Sequence, residues 1–482
     1  MNTTIETLNP TAVWKNFKLI CSVPHPSRHE EKIRELIVNF CKNIGLNPIV
    51  DSANNVIVSK PATPGMENRK GVILQAHLDM VPQANSDSKH NFETDPITAY
   101  VDGEWVRAQG TTLGADNGIG AAAAMAVLES KDIAHGPIEV LFTATEETGM
   151  DGANGLKSGV LKGDILMNMD SEDEGELYVG CAGGLDANIS FSYHTEPVSG
   201  KAFQLAITGF KGGHSGMDIA LGRANANKVM FRLLQSLESL DVRLSAVNGG
   251  SLRNAIPREA FATVIVPDNK VNEFKTMCDS FAKIVTFEFA ATEPTSKFEV
   301  NETSATTALT LVDQKKLVDI IRALPNGVMR MSDAMQGLVE TSTNLAIVKA
   351  ENGEVKISCL LRSSVDSAKD SLGGMMVAIC RLASATITLT GGYPGWKPNM
   401  NSPILKTMQS VYLDNWGKTP EIKAVHAGLE CGILGAKYPH WDMISFGPTI
   451  RSPHSPDERV NIESITKFWE FLQLTLLAVP TK

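Results

Sequence analysis

The chain has 482 residues, enough for roughly two to four domains and a large buried core. Hydrophobic residues make up 43% and charged residues 20%, a balance that excludes a disordered, collagenous or coiled-coil chain. The formal charge of −10 argues against a nucleic-acid partner, and no apolar run of ~18 or more residues suggests a membrane span. Seven scattered cysteines form no CxxC pair, which suits a reducing cytoplasm better than a disulfide framework.

In chain order, residues 30–42 put Ile33, Leu36, Ile37 and Phe40 on one face and predict a helix. Ser27 is the expected N-cap, with Glu30 at capping-box spacing. Alternation over 47–60, around Ala53-Asn54-Asn55, predicts a hairpin. Three short apolar runs follow, over 71–76, 138–144 and 164–169, with an alanine-rich helix at 119–128 between the first two. Buried strands alternating with helices predict a doubly wound α/β sheet.

Each of those runs ends in potential ligands. The first ends in His77-Leu78-Asp79, the second in Glu146-Glu147, the third in Asp170. Open α/β sheets bind ligands outside the carboxyl ends of their strands, so these residues are expected on one rim. Carboxylates crowded there repel without a cation. Three carboxylate ligands and a hydroxide together balance two divalent cations, which favours two metals over one. Histidine with carboxylate suits zinc, manganese or cobalt better than calcium or copper. His77, Asp116, Glu147, Asp170 and the later His454 form this set. Asp79 lies two residues from His77 on the same strand face, placed to accept the imidazole's other N–H. Glu146 and Glu147 are adjacent and point differently, so that one binds metal while the other acts as general base.

The loop at 114–120 (GADNGIG) has two readings. One is a phosphate loop of a dinucleotide-binding protein that needs no metal. The other is a tight turn that places Asp116 at a helix start. No strand directly precedes the loop and no basic residue follows it, which weakens the first.

From about residue 185 to 390 the texture changes to alternating strands (203–208, 260–266, 355–361) and amphipathic helices (224–237, 313–324, 370–382). This predicts an inserted α+β domain over 187–392, with the catalytic domain in 1–186 and 393–482. The insert reads as two similar halves, with Asn254-Ala255-Ile256-Pro257 matched to Thr343-Asn344-Leu345-Ala346.

The motifs HLD (77–79), GADNGIG (114–120), TATEETGMDGA (143–153), NMDSED (168–173), GGHSGMD (212–218) and HSPDERV (454–460) resemble those of the co-catalytic zinc peptidases of the aminoacylase and carboxypeptidase type. The resemblance runs from about residue 24 to the end of the chain. It implies a cytoplasmic dipeptidase with two Zn2+, for which Co2+ or Mn2+ can substitute. His77 and Asp170 would hold one ion, Glu147 and His454 the other, and Asp116 would bridge them beside a cis peptide to Asn117. Asp79 would orient, and Glu146 would be the base. The inserted domain would be a lid in which His214, assisted by Asn254, stabilises the oxyanion. Arg362 would clamp the substrate carboxylate and Gly428 would offer backbone. The implied substrates are Xaa-His dipeptides, carnosine among them. A broad-specificity dipeptidase or an N-acyl amino acid deacylase with the same metals is the alternative. A metal-binding pseudoenzyme fits poorly, because Glu146 is intact. The doubled lid permits a monomer with His214 acting in its own chain, while a free strand edge leaves room for a homodimer.

Overall fold

The computed structural model describes residues 4–482, which fall into two compact units. The first comprises the chain up to Gly180 with Pro398–Ala424 and Leu429–Lys482. The second comprises Cys181–Lys397 and Val425–Gly428. The inserted unit thus begins at Cys181 rather than 187, ends at Lys397 rather than 392, and takes in four residues expected elsewhere. Backbone pairing explains the shift. Cys181 and Trp396 exchange N–H···O bonds of 3.0 and 2.9 Å, and the Ala182 N–H donates to the carbonyls of Val425 and Ala427.

The first unit is built on an eight-stranded sheet. Its order is Ile49–Val50, Val56–Lys60, Ile138–Thr143, Val72–His77, Ile165–Asn168, Asp442–Ser445, Glu176–Cys181 and Glu421–Val425. The four strands from Ile138–Thr143 to Asp442–Ser445 run parallel, and antiparallel strands flank them. The sheet is therefore mixed, with a parallel centre. Val72–His77 and Ile165–Asn168 are buried at every residue, as their unbroken apolar runs require. The helix Ala115–Glu129 is small-residue-rich because it is enclosed on all sides. A Cβ on Gly118 would lie 3.0 Å from the Phe17 ring, and one on Gly120 would crowd Asn117 and the Met169 carbonyl.

The hairpin at 47–60 forms, with Ile49 opposite Ile57. The helix before it spans Glu31–Asn43, but Ser27 does not cap it. Its hydroxyl donates instead to Asp79 Oδ2 at 2.7 Å, and Glu30 occupies the cap position. The capping-box spacing is present, but the helix starts at Glu31, four residues past Ser27, which leaves Ser27 outside the cap position.

The second unit holds a nine-stranded antiparallel sheet with an internal symmetry. Across it the strands run Lys297–Thr303, Lys201–Thr208, Ala260–Val266, Arg243–Gly249, Val339–Glu351, Glu354–Ser363, Gly183–Ser192 and Thr386–Tyr393, with Gly327–Met331 also paired to Val339–Glu351. From either rim to the centre, each half reads fourth, first, third, second strand. The halves meet where 247–249 pair with 348–350. Each half contributes two long helices, Ala226–Ser236 and Val271–Glu288 in one, Leu311–Ala323 and Asp366–Leu382 in the other. Phe203, Phe231, Phe274, Leu345, Ile357 and Met376 belong to one core shared by both. The match between 254–257 and 343–346 does not hold. Asn254 lies in the loop after the second strand of its half, whereas Asn344 lies inside the second strand of the other.

Candidate metal centre and donor cluster

His77 closes the strand Val72–His77, Glu146 and Glu147 follow Ile138–Thr143, and Asp170 follows Ile165–Asn168, so parallel strands deliver all four to one rim. Asp116 joins them from the start of the helix Ala115–Glu129, after Gly114 takes a left-handed turn at φ 71°, and its peptide to Asn117 is cis. His454 arrives on the loop before Arg459–Asn461. The loop at 114–120 is the tight turn that presents Asp116.

The ligand atoms form two triads that share one residue. His77, Asp116 and Asp170 make the first; Asp116, Glu147 and His454 make the second, with the atoms of each within 4.8 Å of one another. Asp116 Oδ1 lies 3.1 Å from His77 Nε2, and its Oδ2 lies 3.1 Å from His454 Nε2. Each oxygen thus faces a different imidazole. Asp170 Oδ1 and Glu147 Oε1 are buried and accept no aligned hydrogen bond, though His77 Nε2 and His454 Nε2 stand 3.4 and 3.0 Å away. Buried acceptors left unsatisfied while imidazole nitrogens point at the same spaces fit a pair of cations. His77, Glu146 and Glu147 form a further group, so proximity alone does not divide the two glutamates between ligand and base.

Asp79 differs from its expected geometry. The His77 Nδ1–H donates to the Asp79 main-chain carbonyl at 2.9 Å, while the carboxylate is 3.4 Å away. The carboxylate instead accepts from the Glu146 N–H at 2.9 Å, the Glu147 N–H at 3.1 Å and the Ser27 hydroxyl. A side chain two residues on is no better placed than its own carbonyl, and the adjacent glutamate turn offers two orphan donors. Asp79 therefore orients both His77, through its backbone, and the Glu146-Glu147 turn, through its side chain.

The metal-free centre stores protons. Burial would lower His77, but Asp170, Asp116 and Asp79 raise it well above its ordinary value. The carboxylates of Asp116, which accepts from its Nε2–H, and of Glu147 beside it push His454 up to about 11. Burial, with help from Asp116, lifts Asp170 to about 7, and burial also raises Glu146 well above the carboxylate range. Asp116 is opposite: burial would raise it, but hydrogen bonds from His454 and His77 hold it well below.

The second unit carries a different cluster. His214 Nδ1 accepts from the N–H groups of Gly216 at 3.2 Å and Met217 at 3.0 Å, so the ring proton sits on Nε2. Burial and the Arg362 guanidinium keep this imidazole below its ordinary pKa, hence neutral at pH 7. Arg362 Nη2 lies 3.4 Å from that Nε2–H. Both are donors, so the approach is a convergence of donors and not a hydrogen bond. The other contacts of Arg362 are to the Ser215 hydroxyl at 3.3 Å and the Tyr393 phenol at 3.4 Å, neither of them a carboxylate. Arg362 is only 5% exposed, and a buried charge of this kind calls for an anion.

Asn254 is exposed on the facing loop, where its carbonyl accepts from the Ser215 N–H at 2.8 Å. Gly428 sits against the Tyr393 ring, 3.1 Å from where a Cβ would stand. His426 is buried, with Nε2 2.7 Å from the Ser342 hydroxyl. Burial, then the charge of Arg362, lowers it to about 3, so it too is neutral. Tyr393 and Ser215 are absent from the sequence-based set. Tyr393 ends the strand Thr386–Tyr393 in the run Gly-Gly-Tyr-Pro-Gly, which reads in sequence as a linker turn and gives no sign of a site.

The chain is 48% identical over 482 residues to the cytosol non-specific dipeptidase of Escherichia coli (strain K12), covering 99% of each. It matches the crystal structure of aminoacylhistidine dipeptidase from Vibrio alginolyticus with a TM-score of 0.95 at 48% identity, covering 100% of this chain and 99% of that one. The aminopeptidase PepT of Bacillus cereus shares the fold, with a TM-score of 0.62 at 15% identity over 98% and 99% of the two chains. The model of peptidase family M20/M25/M40 matches residues 73–478, and the chain belongs to that family.

Proposed function

We propose that this chain is a metal-dependent dipeptidase acting on dipeptides with a free C-terminal carboxylate, Xaa-His dipeptides such as carnosine among them. The observation that carries the reading is Asp116, which offers one oxygen to each of two His-carboxylate triads. Identity of 48% along the whole chain to two proteins named as dipeptidases supports it. The cations are two Zn2+, with Co2+ or Mn2+ as substitutes. His77, Asp116 and Asp170 hold one, and Asp116, Glu147 and His454 hold the other. When bound, they polarise the scissile carbonyl and lower the pKa of a water molecule.

The chain's own residues do the rest. Glu146 accepts the proton of the attacking water and returns it to the leaving amine. The Nε2–H of His214 donates to the oxyanion, assisted by Asn254. Arg362 receives the substrate carboxylate, for which a guanidinium fork is suited, and Gly428 offers backbone to the substrate. His214 and Arg362 approach each other within the inserted unit of one chain, and we take His214 to act in its own chain, in a monomer or a homodimer. We place the enzyme in the cytoplasm, in line with the name of the Escherichia coli relative.

The test is carnosine hydrolysis before and after chelation, with zinc added back, beside Glu146→Ala. Activity lost to the chelator, restored by zinc and absent in the variant is the expected result. A protein with two bound metals that leaves dipeptides intact and cleaves N-acyl amino acids replaces dipeptidase with deacylase. Inactive His214→Ala and Arg362→Ala chains that regain activity on mixing refute the one-chain assembly.

A further inference from the structure

Glu458 lies four residues past His454 in a run, Asp457-Glu458-Arg459, that reads as solvated charge. In the structure it is 2% exposed. Its carboxylate accepts four successive backbone N–H groups of the Asp116 turn. Oε2 takes those of Leu113 at 2.7 Å and Gly114 at 3.0 Å. Oε1 takes those of Ala115 at 2.8 Å and Asp116 at 3.2 Å. The left-handed Gly114 lets these N–H groups converge into a concave anion seat at the start of a helix. A side chain at Gly114 would also crowd Met80 and His25.

The other end of Glu458 is anchored too. Arg459–Asn461 is a strand between Ile450–Arg451 and Trp105–Ala108, with Val460 opposite both Ile450 and Val106. The carboxylate therefore ties the start of a fixed strand to the turn that carries Asp116, while His454 lies four residues before Glu458 on the same loop. Asp116 and His454, two members of one triad, are braced to each other by an acid that belongs to no triad.

We infer that Glu458 is a positioning residue for the dinuclear centre: it orients Asp116 so that its two oxygens face two different cations. The inference rests on the dinuclear reading above. It separates Glu458 from a residue that merely stabilises the fold, because the property it sets is the bridge.

Glu458→Gln keeps the volume but turns an amide NH2 toward two backbone donors. The full-length protein is titrated with Mn2+ and followed by calorimetry and electron paramagnetic resonance. Wild type is expected to bind two ions per chain and to show the spectrum of an exchange-coupled pair. In Glu458→Gln the second ion is expected to bind about 10–100-fold more weakly, the usual effect of removing such a support. The coupled spectrum gives way to isolated Mn2+, and kcat falls more than KM rises. Two ions bound at wild-type affinity with the coupled spectrum intact, whatever the melting temperature, overturns the inference. If Glu458→Gln does not fold, Glu458→Asp, which keeps the charge but is one methylene short, decides by the same spectrum. A wild type that binds fewer than two ions refutes the dinuclear reading, and this inference with it.

Discussion

The two clusters are opposites. In the first unit, acceptors outnumber what the protein can satisfy: Asp170 Oδ1 and Glu147 Oε1 are buried without an aligned donor. In the second unit, donors converge: the His214 Nε2–H and the Arg362 guanidinium face each other 3.4 Å apart. A folded chain rarely leaves buried polar groups unpaired, so what remains unpaired describes the missing partner. Surplus acceptors call for cations, and surplus donors call for an anion. The contrast supports the proposed metal centre in one unit and the proposed carboxylate or oxyanion seat in the other.

The contrast breaks most sharply at Glu146. Glu146→Gln should lower kcat by about 10²–10⁴-fold, the usual contribution of a positioned base, with two metals still bound. Retained activity would move the base elsewhere. Arg362→Lys sharpens the other side. A lysine keeps the charge but loses the fork, and kcat/KM for dipeptides should fall about 10–100-fold. On a C-terminally amidated dipeptide, wild type and variant should be alike. A deficit of the same size on the amide would show that Arg362 does not read the carboxylate.

Legibility in the sequence follows how each residue is held. His77, Glu146, Glu147 and Asp170 stand at the ends of unbroken apolar runs, so the strand period and the sheet rule together put them on one rim. The inserted unit was legible as a change of texture and as two similar halves, but the residues matched between those halves were the wrong ones. The first half is threaded after the first strand of the second, Gly183–Ser192, so no stretch of sequence contains the second half whole. Residues whose partners are backbone groups far along the chain were invisible. Nothing near Glu458 announces four N–H groups about 340 residues away, and Ser27 looked like a helix cap because its acceptor, Asp79, is 52 residues distant. Motif resemblance supplied the ligand set and left these supports unseen.

The acceptor cluster also predicts how metal binding depends on pH. Without cations the centre holds protons: the neighbouring carboxylates of Asp116 and Glu147 keep His454 protonated to about 11, and burial keeps Asp170 partly protonated to about 7. A cation must displace them, so affinity should rise with pH. Between pH 6 and 8, release of about one proton or more per ion corresponds to roughly tenfold or more in affinity per pH unit. Zinc calorimetry in two buffers of different ionisation enthalpy measures the release directly. A proton count of zero would mean that the centre is already deprotonated and electrostatically open.

The smallest effect concerns Glu430, a fully buried acid in the first unit that lies in neither triad. Its Oε2 accepts from Gln75 Nε2 at 2.6 Å and from the Thr143 hydroxyl at 2.7 Å, while Oε1 has no hydrogen bond. Gln75 in turn accepts from Asn168, and Asn168 from Ser445, so the acid ends a buried polar belt across the parallel strands. Burial, above all, raises its pKa to about 8. Folded Glu430 therefore holds a proton that the unfolded chain releases near pH 4.3. Over that window the native state binds more protons, and stability falls as pH rises from about 4 to 8. Glu430→Gln keeps one acceptor and removes the charge. In the metal-free protein it should match wild type near pH 4 and melt higher at pH 8, by about 1–2 °C for each kcal/mol relieved. Equal melting temperatures across the whole range would mean that Glu430 is ionised in the fold, with its charge met by the donors of the belt.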